Sequence, residues 1–143
     1  MSNPLEPIII DTNILFSALL NSKSNFAFIL LLGNNEFYIS ELVLVELFKY
    51  QNKILKLSKL SEEEVIQFYH IILKRINVYK EDLIHTNNLK LAYNLCKDID
   101  VHDTVHVALT SELQGKLWTG DNKLKQGLLK KGFNFFFQPE KID

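Results

Sequence analysis

Pro7-Ile8-Ile9-Ile10-Asp11-Thr12-Asn13 sets three consecutive β-branched residues directly before an acid and two small polar residues. A short unbroken run of that kind reads as a strand buried on both faces, and such strands belong to parallel sheets covered by helices. The stretch Lys116-Leu117-Trp118-Thr119-Gly120-Asp121 repeats the pattern, a strand ending in an acid. Between them the chain alternates. Helical patterns run from Asn13 to Leu20 and from Asn25 to Leu32, with Gly33-Asn34-Asn35 as the stop. A short strand, Phe37 to Ile39, leads to Ser40 as N-cap of a helix from Glu41 to about Lys56. Ser61-Glu62-Glu63-Glu64 is a capping box opening a helix through about Arg75, expected to pair with the one before it. Ile76 to Tyr79 reads as a strand, Leu89 to Cys96 as a helix, and Val101 to Leu113 as another, stopped at Gly115. A basic helix, Lys123 to Lys131, and a last strand, Phe133 to Phe137, close the chain. Strands alternating with helices imply an α/β fold with a parallel sheet, and in such sheets function gathers at the carboxyl ends of the strands. Asp11 and Asp121 lie there.

The sequence has 143 residues, which suits one domain over residues 1–143. Hydrophobic residues make up 47% and charged residues 23%, the balance of a chain with a real core and not of a disordered one. The longest apolar run, Phe26 to Leu32, is far short of the roughly 20 residues a membrane helix needs. No Lys or Arg precedes Lys23, so the basic start of a signal peptide is missing and a cytoplasmic location is expected. A lone Cys96 leaves no disulfide scaffold and no zinc ribbon. The net charge is −1, from 16 basic and 17 acidic residues, so a polyanion must be held locally. Arg75 is the single arginine, and lysines would have to serve.

Further acids sharpen the reading of Asp11 and Asp121. Glu46 sits inside the hydrophobic stretch Leu42 to Phe48, where a carboxylate is costly to bury unless paired or metal-bound. The segment Asp98-Ile99-Asp100-Val101-His102-Asp103 adds three more. Asp100 is placed as N-cap of the Val101 helix with Asp103 at N3 in a box-like spacing, and Asp98 reads as a surface charge.

Four segments together resemble the PIN-domain nucleases, which include VapC-like toxins of toxin–antitoxin pairs. They are Ile8-Ile9-Ile10-Asp11-Thr12-Asn13, Glu41-Leu42-Val43-Leu44-Val45-Glu46, Asp103-Thr104-Val105-His106-Val107-Ala108-Leu109 and Leu117-Trp118-Thr119-Gly120-Asp121. The resemblance implies a three-layer α/β/α fold with sheet order 3-2-1-4-5. It implies that Asp11, Glu46, Asp103 and Asp121 are both catalytic and metal-binding, converging on Mg²⁺ or Mn²⁺ to hydrolyse RNA. Asn13 and Thr119 match positions of small polar side chains beside those acids, and Asp100 is a supporting residue. The partners so implied are an RNA substrate, an antitoxin protein and a second copy of the chain in a homodimer, with no membrane.

Elementary electrostatics agrees. Carboxylates about 6 Å apart at an effective dielectric of about 20 repel by roughly 3 kcal/mol per pair, so a cluster of four needs protons or a cation. All-oxygen ligands suit Mg²⁺ or Mn²⁺ better than zinc. Such an ion can activate water for in-line attack on phosphorus. Lys123 and Lys125, at the start of the helix after Asp121, are candidates for holding RNA phosphates, because helix N-termini attract phosphate.

Competing constellations are weaker. His102 and His106 are spaced i, i+4, a geometry that can hold a metal, but surface or partly packed histidines are the commoner outcome. His102-Asp103 with His85 and Asp121 also suggests an HD-type phosphohydrolase, an all-helical fold that the strands oppose. A HAD-type phosphatase needs a second Asp two residues after the first, where this chain has Asn13. A non-catalytic PIN-like module that binds RNA or protein is the alternative of a different class.

Overall fold

The computed structural model describes residues 5–21, 25–32 and 34–139. Four strands, β1 (Pro7–Ile10), β2 (Glu36–Ser40), β3 (Ile76–Tyr79) and β4 (Lys116–Trp118), form one sheet in the order β3-β2-β1-β4. All its pairings are parallel, with Ile9 of β1 opposite Tyr38 of β2 and Leu117 of β4. The helices are α1 (Thr12–Leu20), α2 (Asn25–Leu32), α3 (Glu41–Lys49), α4 (Gln51–Leu57), α5 (Glu62–Arg75), α6 (Thr86–Cys96), α7 (Thr104–Leu113) and α8 (Asn122–Lys130).

Successive strand side chains point to opposite faces, and the isoleucine run fills both. Ile8 and Ile10 join Phe37, Ile39 and Trp118 in a core roofed by Leu15 of α1, Val43 and Leu47 of α3 and Phe68 and Ile72 of α5. Ile9 and Leu117 face the other way, into a core closed by Ala92 and Cys96 of α6, Val107 and Ala108 of α7 and Leu124 and Leu128 of α8. The result is the expected three-layer α/β/α arrangement. Central β1, with Ile9 and Ile10 fully buried, carries Asp11 at its carboxyl end.

Several expectations are corrected in detail. The stretch Phe133 to Phe137 is not a strand: it meets β4 through one parallel bridge, Leu117 to Phe136. It holds the outer position beside β4 that a fifth strand would take, with Leu117 N–H donating to the Phe135 carbonyl at 2.8 Å and Phe137 N–H to the Leu117 carbonyl at 2.9 Å. The buried residues here are Phe133 and Phe136, three apart, while Phe135 is exposed, and that spacing cannot follow the period of two that a strand imposes. The helix expected from Glu41 to about Lys56 breaks at Tyr50, whose ring sits edge-on to Phe16 at 5.9 Å. No Gly or Pro marks that break. The break leaves α3 free to follow β2 while α4 returns Ile54 to the core. The expected pairing of α5 with the helix before it is not its main packing: α5 lies chiefly against α2 and α1, and it reaches α3 through Tyr69, whose hydroxyl donates to the Leu47 carbonyl at 2.7 Å. Ser40 holds the N-cap position of α3 but makes no capping hydrogen bond. At the end of α7 the left-handed residue is Gln114, at φ 53°, and not Gly115. Gly115 is required for another reason: a Cβ there would lie 2.3 Å from the Pro7 carbonyl oxygen. Gly33, the expected stop of α2, lies outside the described residues.

Candidate active site

The carboxyl end of β1, the start of α1, α3 and the turn leading into α7 line a cleft of about 120 Å³. It is lined by Asp11, Thr12, Asn13, Glu46, His102, Asp103 and His106. Three of the four acids singled out in the sequence therefore face one space, from β1, α3 and the turn before α7. Asp121 lies beside it and does not line it, although its charge acts on both Asp11 and Asp103.

Asp11 is 4% exposed and serves twice. Its Oδ1 accepts the Ile14 N–H at 3.1 Å, which caps α1. The Thr119 hydroxyl also bonds its carboxylate and accepts the Asp121 N–H at 3.1 Å, so one side chain ties the ends of β1 and β4 together. Burial raises the Asp11 pKa, the Thr119 and Ile14 hydrogen bonds oppose that rise, and the nearby Asp121 charge adds to it. Asp121 caps α8 by accepting the Leu124 N–H at 3.1 Å. An acid already occupies that helix start, which offsets the attraction of the N-terminus for phosphate.

The acidic segment before α7 divides its labour differently from the expected capping box. Val101–Asp103 is a 3₁₀ turn, and Asp100 caps it by accepting the His102 N–H at 3.0 Å. The Asp100 N–H bonds the Cys96 carbonyl and not the Asp103 side chain, so no box forms. Asp103 stands at the N-cap of α7 without a capping bond, which leaves its carboxylate facing the cleft. Burial first, then the charges of Asp100, Asp11 and Asp121, push its pKa up to about 7, against a smaller opposing effect of His102. Among the described residues, no three His, Cys, Asp or Glu side chains are drawn close enough to form a ready-made metal cage. The donor chemistry of the cleft still fits a hard cation: it is rich in carboxylate oxygen, and two of its acids, Asp11 and Asp103, are held above their ordinary pKa by burial and by neighbouring acidic charge.

Asn13 is exposed at the cleft, and Thr119 is buried behind Asp11. Lys123 is exposed on the first turn of α8, whereas Lys125 is half-buried with its ammonium 5.6 Å from the centre of the Phe136 ring. Asp98 pairs with Lys131 on the surface, as a solvated charge would. Three further residues line the cleft: Thr12, for which the sequence carries no signal of its own, and His102 and His106, whose i, i+4 spacing reads more readily as surface or partly packed histidines than as a metal pair. The only signal for the histidines was their spacing of four beside Asp103, and nothing in the sequence separates exposed His102 from His106, which is 4% exposed. Burial pushes the His106 pKa down to about 4, so its ring is neutral at pH 7.

A family model described as a PIN domain matches residues 9–134, from β1 through the segment after α8. The chain belongs to the PIN-domain family. PIN domains are generally nucleases. Among solved structures, the chain is similar to one described as VapBC2 from Rickettsia felis bound to a DNA fragment from their promoter. The TM-score is 0.63 at 22% identity, over 84% of this chain and 92% of that one. At that identity the likeness speaks for the PIN fold alone. No curated protein matches the chain. Among the described residues of this PIN domain, no helix is long and apolar enough to cross a membrane.

Proposed function

We propose that this PIN domain is an endoribonuclease dependent on Mg²⁺ or Mn²⁺, hydrolysing RNA phosphodiester bonds at the cleft beneath Asp11, Glu46 and Asp103, with Asp121 beside it. The observation that carries this reading is the meeting of acids from β1, α3 and the α7 start in one space, with Asp103 raised to about 7 by burial and its acidic neighbours. A cluster of acids around one buried carboxylate, Asp11, calls for positive charge. When bound there, Mg²⁺ or Mn²⁺ supplies a Lewis acid that activates water and stabilises the leaving oxygen. Asp11, Glu46, Asp103 and Asp121 would hold the ion.

The chain's own residues do the remainder. Thr119 bonds the Asp11 carboxylate and accepts from the Asp121 backbone N–H, so it links the ends of the two neighbouring strands that carry these acids. Asp100 shapes the turn that delivers Asp103. Asn13, exposed at the rim, is placed to bond a substrate phosphate or ribose hydroxyl. Lys123 and, less freely, Lys125 offer positive charge to the RNA backbone. We further propose a cytoplasmic setting, an antitoxin protein as partner and a homodimeric state; the fold likeness to VapBC2 supports the toxin reading.

The test is cleavage of a panel of RNAs with Mn²⁺ and with EDTA. Cleavage should need the metal and fall at least about a hundredfold in Asp11→Asn, beyond the loss usual for residues that only support a metal ligand. Asparagine caps helices as well as aspartate, so this variant keeps the α1 cap and its fold. Wild-type rates in both Asp11→Asn and Asp121→Asn would overturn the proposal, and RNA binding without any cutting would favour a non-catalytic module.

A further inference from the structure

Among the described residues four buried side-chain atoms lack a hydrogen-bond partner: Thr12 Oγ1, Ser40 Oγ, Thr104 Oγ1 and His106 Nδ1. Thr12 is the first residue of α1, Ser40 the last of β2, and His106 lies in the first turn of α7. Buried polar groups are almost always paired, so unpaired ones beside a cleft are groups waiting for a partner. Thr12 and His106 both line the acid cleft. His106 follows Asp103 by three residues, which puts the two side chains on the same face of the chain entering α7.

We infer that His106 is a positioning residue of this cleft: its Nδ1, with Thr12 Oγ1 beside it, becomes the outer hydrogen-bond partner of the acids once a divalent cation is held there. The inference rests on the metal-dependent reading of the cleft. The Nδ1 atom is fully covered although its residue lines the cleft, so it is not among the groups that meet solvent there. Buried in the folded chain, that atom has given up water and received nothing in return. A cation that draws the acids into place returns a partner to it, and the recovered hydrogen bond then counts toward cation affinity. A neutral imidazole suits this position because it adds no positive charge to oppose the ion. Exposed His102, on the preceding turn, has no such constraint.

The experiment is calorimetric titration of the metal-free protein with MnCl₂, alongside thermal melts in EDTA, for wild type, His106→Leu and His106→Asn. Asparagine keeps a hydrogen-bonding group near the position of Nδ1; leucine keeps bulk and has none. We expect His106→Leu to bind Mn²⁺ about 10- to 100-fold more weakly while melting in EDTA no lower than wild type, because it removes an unpaired buried polar atom. His106→Asn should hold affinity close to wild type. If His106→Leu does not fold, His106→Phe, closer in shape to the imidazole, carries the same comparison. Unchanged Mn²⁺ affinity in the leucine or phenylalanine variant overturns the inference, as does an equal loss in the leucine and asparagine variants. Absence of Mn²⁺ binding by wild type overturns the metal-dependent reading itself, and this inference with it.

Discussion

Asp103 and Asp11 show how one residue type takes different work from its surroundings. Asp11 spends its carboxylate on the Ile14 N–H and the Thr119 hydroxyl, whereas Asp103 makes no capping bond and meets mainly other acids. Its folded pKa of about 7 stands above the ordinary 3.8. A carboxyl raised by folding binds more protons folded than unfolded between those values, so its contribution to stability is present at low pH and is lost as pH rises toward 7. His106, lowered from 6.5 to about 4, has the opposite slope: its contribution is present at neutral pH and lost as pH falls below 6.5. The two largely offset each other near pH 5, so the wild-type profile alone is uninformative. The difference between variants is not. In EDTA, Asp103→Asn should melt several degrees above wild type at pH 8 and by a clearly smaller margin at pH 5, the two converging only as pH falls toward 3.8, because asparagine mimics the protonated acid. An equal offset at both pH values would contradict the raised pKa.

Among the elements, the 3₁₀ turn before α7 and the start of α8 decide how the site is presented. Asp100 holds the turn through one hydrogen bond to the His102 N–H, so Asp100→Ala should lower stability by about 1 kcal/mol and leave Mn²⁺-dependent cleavage largely intact. A stable but inactive Asp100→Ala variant, beside an active Asp103→Ala variant, would reverse the roles assigned to the two acids. On α8 the two lysines are not equivalent. Lys123 is free to reach a phosphate, while Lys125 sits over the Phe136 ring, a contact it would have to give up. Lys123→Gln should weaken RNA binding across sequences and reduce the log–log salt slope by about one unit; Lys125→Gln should change it less. Filter binding between low and moderate salt measures both, and an unchanged slope in the double variant would show that the RNA runs elsewhere.

For the molecule as a whole, the acid cleft and the hydrophobic layers work against each other. Helices packed on both faces of β1 force Asp11 into burial, and the repulsion of its neighbours is then borne by the entire fold. A cation that binds only the folded state should relieve this, raising stability by about 2.7 kcal/mol when its concentration reaches about a hundred times its dissociation constant. Scanning calorimetry across a Mn²⁺ titration should therefore show a rising melting temperature, and Glu46→Gln should blunt the rise, since Glu46 brings α3 to the cleft. A melting temperature indifferent to Mn²⁺ would count against a cation at this site.

The isoleucine run before Asp11 and the strand before Asp121 sufficed, as sequence, to predict a parallel sheet with acids at its carboxyl ends, because a period of one apolar residue per position has few other physical readings. The capping box at Ser61 was equally legible, since its two hydrogen bonds are local. What the tertiary structure decided is everything that depends on contacts between distant segments. Tyr50 breaks a helix without a breaker residue, and the segment after α8 buries Phe133 and Phe136 at a spacing no strand allows. Ser40 and Asp103 stand at N-cap positions whose capping bonds are not made. Most of all, the burial of His106 beside exposed His102 follows from how α7 lies on β1 and β2, and a spacing of four residues carries no information about which of two histidines the sheet will cover.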